Sequence, residues 1–293
     1  MKSIMPLPST QHIPIQPPSR IMYDLNRITP LTQGNKSTTR AALLILARAA
    51  ERAERYDDVC RFMREIIKLI TSNPVQSTNL YDTTLTLDER QLLWYSYKQL
   101  LQQLRYSLKV TSKYETDDIV QQASHATGLA TYTDIIDDYK QYIELECTTI
   151  AGELVTLIEN TLLKLLHDNE NRTFYLRLCG DYYKYLAEVQ PIRGYERRSL
   201  DLYAQSWRIA TTTLPVNHPT RLSVALNYSV CLYEMFRDKK AASEIAKSAF
   251  DAAIHKLDEL DEMNYKDSTL IMQLLRDNLT LWTSIEQQQT EQK

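Results

Sequence analysis

The chain is constrained most by its shortage of glycine and by the positions of its prolines. Only 5 of its 293 residues are glycine, and residues 75–190 and 220–293 contain no proline. β-Hairpins and the corners of β-barrels and β-sandwiches draw on these two residue types for their backbone angles. The sequence therefore predicts an all-α fold, and it has too little glycine for a glycine-rich phosphate loop.

Charge and hydropathy narrow the functional classes. The 34 Lys and Arg residues against 37 Asp and Glu give a formal net charge of −3, which does not suggest bulk binding to nucleic acid. No stretch approaches the roughly 18 apolar residues of a membrane span, and the first residues lack the apolar core of a signal peptide. A cytoplasmic protein is expected. The four cysteines form no CxxC pair, so buried thiols are expected rather than a zinc site or a disulfide framework.

Three regions follow one another along the chain. Proline, serine, threonine and glutamine are frequent in residues 1–37, and this composition predicts a flexible extension rather than a docking segment. Residues 38–285 are predicted to form one helical domain. Residues 286–293 are predicted to form a short C-terminal tail.

Apolar periodicity in the domain predicts nine helices in mostly antiparallel order, joined by short turns. Thr86 and Glu89 have the spacing of a capping box, so a helix is expected to begin there. Residues 241–257 are rich in alanine, as in the stacked helix pairs of tetratricopeptide (TPR) repeats. No period of about 34 residues recurs elsewhere, so a TPR-like solenoid is only an architectural relative.

Conventional catalysis has no recognisable residues in this sequence. The five histidines never lie at the i, i+4 spacing of a helical metal site, and the GxSxG, GxGxxG and GxxxxGK motifs are absent. No nucleophile is paired with a base in any known pattern. No enzyme activity, no metal site and no cofactor are therefore predicted.

The informative pattern is basic. On the third predicted helix, polar residues at i, i+4, i+7 and i+11 form one stripe opposite a leucine face. A later helix repeats this spacing with mixed charge and a phenol at its edge. Each stripe taken alone is typical of a solvated helix face. The two stripes are Lys98, Gln102, Arg105 and Lys109, and Arg177, Asp181, Lys184 and Glu188 with Tyr185.

Four segments resemble the 14-3-3 family. They are Glu51-Arg-Ala-Glu-Arg-Tyr-Asp-Asp58, residues 174–189, Asn217-His-Pro-Thr-Arg-Leu222 with Ala225-Leu-Asn-Tyr-Ser229, and Tyr265-Lys-Asp-Ser-Thr-Leu-Ile-Met-Gln-Leu-Leu-Arg-Asp-Asn-Leu-Thr-Leu-Trp282. The resemblance covers about residues 39–284. It implies the 14-3-3 fold, in which nine antiparallel helices form a concave amphipathic groove for phosphoserine or phosphothreonine peptides. It also implies a homodimer, or a heterodimer with a paralogue.

The resemblance implies roles for individual residues. The phosphate pocket would be Lys98, Arg105, Lys184 and Tyr185. Contacts to the peptide backbone would come from Asn227, Glu234 and Asn278, with Trp282 near them. The apolar groove wall would be Leu226, Val230, Leu270, Ile271, Leu274 and Leu281. The dimer interface would include Ala50, Ala53, Arg55, Ser107, Tyr139 and Glu146.

Helical spacing supports part of this assignment independently. Five of these residues fall on one face of the last predicted helix, and a lone amide in such an apolar stripe is costly unless it has a partner. The backbone of a bound peptide would be such a partner. The five are Ile271, Leu274, Asn278, Leu281 and Trp282.

The sequence departs from the family in three places that matter here. Lys184 stands where the family has an arginine, so a point charge replaces a planar fork of donors. Extra residues lengthen the loop at 72–84 and the link at 117–132, beside helices that the family uses for dimerisation. The predicted function is a non-catalytic adaptor for phosphorylated partner proteins. The alternative is a helical interaction scaffold with weakened or lost phosphate selectivity, which Lys184 favours, whereas Arg105 and Tyr185 argue against it.

Overall fold

The computed structural model describes residues 24–72, 84–115, 131–166, 168–190 and 194–291, and no strand occurs in these ranges. Nine long helices succeed one another there: α1 (Lys36–Arg52), α2 (Tyr56–Thr71), α3 (Leu87–Glu115), α4 (Thr131–Leu157), α5 (Asn169–Val189), α6 (Tyr195–Thr213), α7 (Pro219–Glu234), α8 (Lys239–Ile254) and α9 (Glu262–Glu291). Helix α4 continues through a π-helical turn, Ile158–Leu162, and a last turn, Leu163–Leu165. The predicted all-α fold with nine helices is confirmed.

Polar side chains fix the starts of helices that frame the groove described below. At α3 the Thr86 amide donates to Glu89 Oε2 at 2.8 Å and the Glu89 amide donates to Thr86 Oγ1 at 3.3 Å, so the predicted capping box is confirmed. At α5 the Asn171 amide donates to Asp168 Oδ1 at 2.7 Å. These caps satisfy amides that have no partner inside the helix.

Two hydrophobic cores hold the helices together. The first joins α1 to α5 and one residue of α6 through large side chains such as Met63, Leu93 and Leu154, all fully buried. The second joins α7, α8 and α9, and α8 contributes only alanines to its buried set: Ala242, Ala246, Ala249 and Ala253. Small residues let α8 lie close to its neighbours, whereas the first core gains its stability from larger buried apolar area.

Helices α5 and α6 approach each other most closely at Gly180. A β-carbon at that position would lie 2.9 Å from Cε1 of Tyr203, closer than packed atoms come. The Ser199 hydroxyl donates to the Gly180 carbonyl at 2.8 Å across the same contact. The glycine therefore lets Tyr203 reach the floor of the groove.

The segment before α1 contains two short helical elements. A 3₁₀ turn, Leu25–Arg27, and a short helix, Ile28–Thr32, precede α1, and Ile28 and Thr32 are 5% and 4% exposed. Composition predicted a flexible extension up to residue 37, and these two helical turns lie within it. A few apolar residues in a polar segment supply the contact with the first core.

Two further predictions concern the C-terminal tail and the lengthened connections between helices. Helix α9 runs to Glu291, so the residues predicted as a tail, 286–293, continue the helix as far as the structure describes them. Most of the lengthened loop at 72–84 and of the link at 117–132 lies outside the described residues.

The four cysteines are all buried and unpaired, which confirms their prediction as buried thiols. Burial raises the pKa of Cys60 to about 12 and those of Cys147 and Cys231 to about 11. Burial likewise raises the pKa of the Cys179 thiol. The thiols therefore remain protonated at neutral pH.

Candidate functional site

A groove with a cavity volume of about 1110 Å³ runs between four of the long helices. Helices α3 and α5 contribute charged and aromatic side chains to one wall, and α7 and α9 contribute mostly apolar side chains to the other. The site is therefore amphipathic across its width. We call the α3–α5 side the charged wall and the α7–α9 side the apolar wall.

The charged wall brings together the residues predicted to bind phosphate. Lys98, Lys184 and Tyr185 line the groove itself. Lys184 is mostly buried, and its ammonium lies 2.7 Å from Glu234 Oε2. Lys98 places its ammonium 5.0 Å above the centre of the Trp94 ring, a cation–π contact. Both lysines are thus held in place by a neighbour within the chain.

Arg105 lies beside the groove rather than in its lining. Its guanidinium stacks 4.5 Å from the centre of the Tyr185 ring and donates to Glu188 Oε2 at 2.7 Å. Together with Lys109 it faces a smaller cleft of about 390 Å³. Arg105 therefore contacts the ring of a groove residue without lining the groove itself.

Tyr185 can act as a donor at neutral pH. Burial is the main cause that raises the pKa of its hydroxyl to about 12, and the nearby Asp181 carboxylate acts in the same direction. The hydroxyl keeps its proton, so an anion next to it could accept a hydrogen bond.

The two asparagines predicted to contact a peptide backbone both line the groove, but their side chains differ in hydrogen bonding. Asn227 donates from Nδ2 to Asp181 Oδ1 at 2.8 Å. Asp181 also accepts from the Tyr203 hydroxyl at 2.5 Å and from Arg177 Nη1 at 2.8 Å. Asn278 also lines the groove and is half-buried, but its side chain makes no hydrogen bond among the described residues.

Five of the six residues predicted for the apolar wall line the groove: Leu226, Val230, Leu270, Ile271 and Leu274. Leu270 and Leu274 are exposed, at 63% and 45%. Such side chains gain stability only when something covers them, because apolar area in contact with water is unfavourable. The wall is therefore open.

Three of the residues predicted for the site lie outside the groove lining. Leu281 is 56% exposed and lies outside the groove lining. Trp282 is 5% exposed and stacks on Tyr233 with ring centres 4.5 Å apart, so it joins α9 to α7 instead of facing the groove. Glu234 also lies outside the lining and binds Lys184. A helix turns 100° between adjacent residues, so the packing of Trp282 against α7 leaves Leu281 exposed on another side of α9.

Comparisons with known proteins agree with this architecture. The family model for the 14-3-3 protein matches residues 46–283. The chain is 40% identical to 14-3-3 protein 8 of Solanum lycopersicum over 253 residues, 85% of this chain and 89% of that protein. It is also 40% identical to the checkpoint signal transducer rad24 of Schizosaccharomyces pombe, over 85% of this chain and 86% of that protein. A 14-3-3 protein of Eimeria tenella is 38% identical over 87% of this chain.

The chain belongs to the 14-3-3 family.

Several groove residues of this 14-3-3 protein were not singled out from the sequence. Trp94 and Tyr95 line the charged wall, and Phe174 lies between Arg90 and Arg177, whose guanidiniums are 4.6 Å and 5.1 Å from its ring centre. Trp94 stands one helical turn before Lys98, so the i, i+4 spacing of an aromatic and a cation was the available signal.

The residues predicted for a 14-3-3 dimer interface are spread over α1, α3 and α4. Ala50 is 8% exposed and packs in the first core, so it has little surface to offer a second chain. Ala53 and Arg55 are exposed, and Arg55 pairs with Asp58 of the same chain at 2.5 Å. The Ser107 hydroxyl donates to the Gln103 carbonyl at 3.0 Å. Tyr139 is 58% exposed and stacks on Tyr142, and Glu146 is half-buried.

The described residues offer no candidate for a membrane span or a metal cluster. None of the described helices is both long and apolar enough to cross a membrane. No group of three or more His, Cys, Asp or Glu side chains in these ranges could hold a metal ion.

Proposed function

We propose that this 14-3-3 protein is a non-catalytic adaptor that binds phosphoserine or phosphothreonine segments of partner proteins in the groove between the charged and apolar walls. The observation that carries the proposal is the grouping of Lys98, Lys184 and Tyr185 on one wall, with Arg105 against the same phenol, opposite an open row of leucines. Family membership supports it as well.

The chemistry of a phosphate suits the charged wall. A phosphate ester carries about −1.5 to −2 charges at neutral pH and three strong acceptor oxygens. Lysine ammonium groups, a guanidinium and a protonated phenol supply donors for short charge-assisted hydrogen bonds. In the free protein Lys184 and Arg105 are bound to Glu234 and Glu188, so a phosphate would replace one carboxylate partner by a more highly charged one.

The apolar wall and the two amides suit the peptide around the phosphate. Asparagine side chains can hydrogen-bond to both groups of an extended peptide unit, and exposed leucines can cover flanking side chains. We propose Asn227 and Asn278 as backbone contacts, with Leu270, Ile271 and Leu274 as the contact for apolar flanking residues. We do not propose Glu234 as a backbone contact; its part in the site is the ion pair with Lys184.

Fluorescence anisotropy with a labelled phosphopeptide and its unphosphorylated twin tests the proposal. We expect the phosphopeptide to bind at least 100-fold more tightly and Arg105→Ala to weaken it at least tenfold, because hydrogen bonds between charged groups are worth about 1.5–3 kcal/mol. Equal affinities for the two peptides would favour the alternative function, a helical scaffold without phosphate selectivity. The single ammonium of Lys184 is the observation that keeps this alternative open.

The proposal includes the setting in which the adaptor works. We propose a homodimer or a heterodimer with a paralogue, in the cytoplasm, with no cofactor. Exposed Ala53, Arg55 and Tyr139 would lie at the interface between the chains. Analytical ultracentrifugation at micromolar concentration tests the dimer, and a sedimentation coefficient that fits one chain at every concentration would refute it.

A further inference from the structure

Asp181 is a buried residue at the floor of the groove, where it accepts hydrogen bonds from three side chains. Oδ2 accepts from Arg177 Nη1 at 2.8 Å, and Oδ1 accepts from the Tyr203 hydroxyl at 2.5 Å and from Asn227 Nδ2 at 2.8 Å. Arg177 and Asp181 are 7% and 9% exposed. A buried carboxylate with this many charge-assisted hydrogen bonds has one stable arrangement.

This network determines which way the Asn227 amide points. The oxygen and nitrogen of an asparagine amide have nearly the same shape, so only hydrogen-bond partners distinguish the two orientations. An ionised carboxylate can only accept hydrogen bonds, so the nitrogen of Asn227 must face Asp181. Because Asn227 lines the groove, its oxygen and its second N–H are then available to a ligand.

Asn278 on the opposite wall provides the contrast. Its side chain has no hydrogen bond among the described residues, so its amide can present either end to a ligand. Ordering that amide costs conformational entropy when a peptide binds, whereas Asn227 has already been ordered by folding. The two amides therefore contribute differently to recognition.

We infer that Asp181 is a positioning residue for peptide recognition, which holds the Asn227 amide so that its oxygen accepts a hydrogen bond from a backbone N–H of the ligand. Asp181 also lines the floor of the groove, and in this inference it acts through Asn227 rather than through a contact of its own with the ligand. This inference rests on the proposed function, because it takes an extended peptide in the groove as the ligand of Asn227. It further requires that the ligand residue opposite Asn227 carries a backbone N–H, which excludes proline at that position.

A double-mutant cycle separates positioning from other roles. In anisotropy titrations with one phosphopeptide, we expect Asp181→Asn and Asn227→Ala each to weaken binding about tenfold. The combined variant should bind no more than about twofold more weakly than Asn227→Ala alone, because Asp181 acts through Asn227. Equal peptide affinity in Asp181→Asn and the wild type, or additive losses in the combined variant, would overturn the inference.

Phenyl phosphate provides a second readout, because it carries the phosphate but no peptide unit. Removal of the Asp181 charge should leave its affinity unchanged or increase it, since a negative charge at the floor of the groove opposes an anion. A merely structural role for Asp181 would weaken phenyl phosphate and peptide together, and that result would overturn the inference.

Glu159 offers a matched control for the loss of stability. Its carboxylate also accepts from a tyrosine hydroxyl and an arginine, Tyr183 at 3.2 Å and Arg198 at 2.6 Å, but it lies outside the groove lining. Glu159→Gln should lower the unfolding midpoint without changing peptide affinity. A loss of peptide affinity equal to that of Asp181→Asn would overturn the inference, because the weakening of any such carboxylate network would then suffice.

One experiment does not require Asp181→Asn to fold. A series of ligand peptides in which single backbone amides are replaced by esters removes one N–H at a time with little change in shape. At the position opposite Asn227, the ester should weaken binding to the wild type about fivefold to tenfold and have no effect on Asn227→Ala. If the ester peptides bind Asn227→Ala more weakly at every position at which they bind the wild type more weakly, the inference would be overturned. This comparison needs only a peptide that binds, so its outcome is independent of phosphate selectivity and hence of the proposed function.

Discussion

The two walls of the groove are prepared for a ligand to different degrees. On the charged wall, Lys184 and Arg105 already hold carboxylate partners at 2.7 Å, and Lys98 lies over an indole ring. On the apolar wall, Leu270 and Leu274 remain 63% and 45% exposed. The charged wall is thus arranged during folding, while the apolar wall acquires its contacts only when a ligand covers it.

This difference follows from the interactions each wall can make without a ligand. A buried or half-buried cation without a partner is costly, so the folded chain places a carboxylate or an aromatic ring beside it. An exposed leucine has no such requirement, and single exposed apolar residues are tolerated on protein surfaces. Substitutions on the charged wall should therefore change binding through fixed geometry, and those on the apolar wall through buried area.

The largest effect is expected where the apolar wall is attached to the fold. Trp282 joins α9 to α7 by stacking on Tyr233, so Trp282→Ala should lower the free energy of unfolding by about 3–5 kcal/mol. Chemical denaturation measures the change. Leu281→Ala is the control, since that side chain is exposed and its loss should cost no more than about 0.5 kcal/mol. Equal stabilities of the two variants would contradict the assignment of Trp282 to the core.

The next effect concerns the charged wall. Lys184→Ala should weaken a phosphopeptide roughly 10- to 100-fold, because a charge-assisted hydrogen bond contributes about 1.5–3 kcal/mol. Lys240→Ala removes the same charge from an exposed site on α8 outside the groove and should change affinity less than twofold. Anisotropy titration compares them, and similar losses in both variants would mean that only net charge matters.

A smaller effect is expected on the apolar wall. Leu274→Ala should weaken a phosphopeptide with apolar flanking residues about fivefold, or about 1 kcal/mol, since it removes area that the ligand would cover. Stability should hardly change because Leu274 is exposed in the free protein. With glycine flanking residues in the peptide the loss should vanish. A loss that is the same for both peptides would show that the wall does not recognise side chains.

The smallest expected effect tests the presence of Lys184 where the family has an arginine. Lys184→Arg should tighten phosphopeptide binding about twofold to threefold, because a guanidinium can bond a phosphate with two parallel N–H groups. Isothermal titration calorimetry resolves a change of this size. Weaker binding by the arginine variant would indicate that Glu234 and its surroundings are shaped for a lysine.

The resemblance to the 14-3-3 family carried most of the site prediction, and spacing along single helices supported part of it. Lys98 on α3, Lys184 and Tyr185 on α5, and Asn227 on α7 line one groove because each lies on the face that its helix turns inward. Arg105 faces the next cleft and stacks on the Tyr185 ring, a contact that no spacing rule describes.

Contacts between helices and unusual backbone angles were beyond sequence reasoning. The pairing of Lys184 with Glu234 joins residues 50 positions apart. The turn between α1 and α2 places Glu54 at φ +54°, where helix ends usually have glycine, and closes with a hydrogen bond from the Arg55 amide to the Ala50 carbonyl at 2.9 Å. Composition likewise does not reveal that Ile28, in the segment before α1, is buried.

The buried thiols make this protein suitable for site-specific labelling. Reagents such as maleimides react with thiolates, and none of the four native cysteines presents one at neutral pH because all are buried with raised pKa values. A single cysteine introduced at Ser223, a small half-buried residue of the groove lining, would be the preferred reaction site. A fluorophore attached there would report occupancy of the groove directly, without removal of any native cysteine.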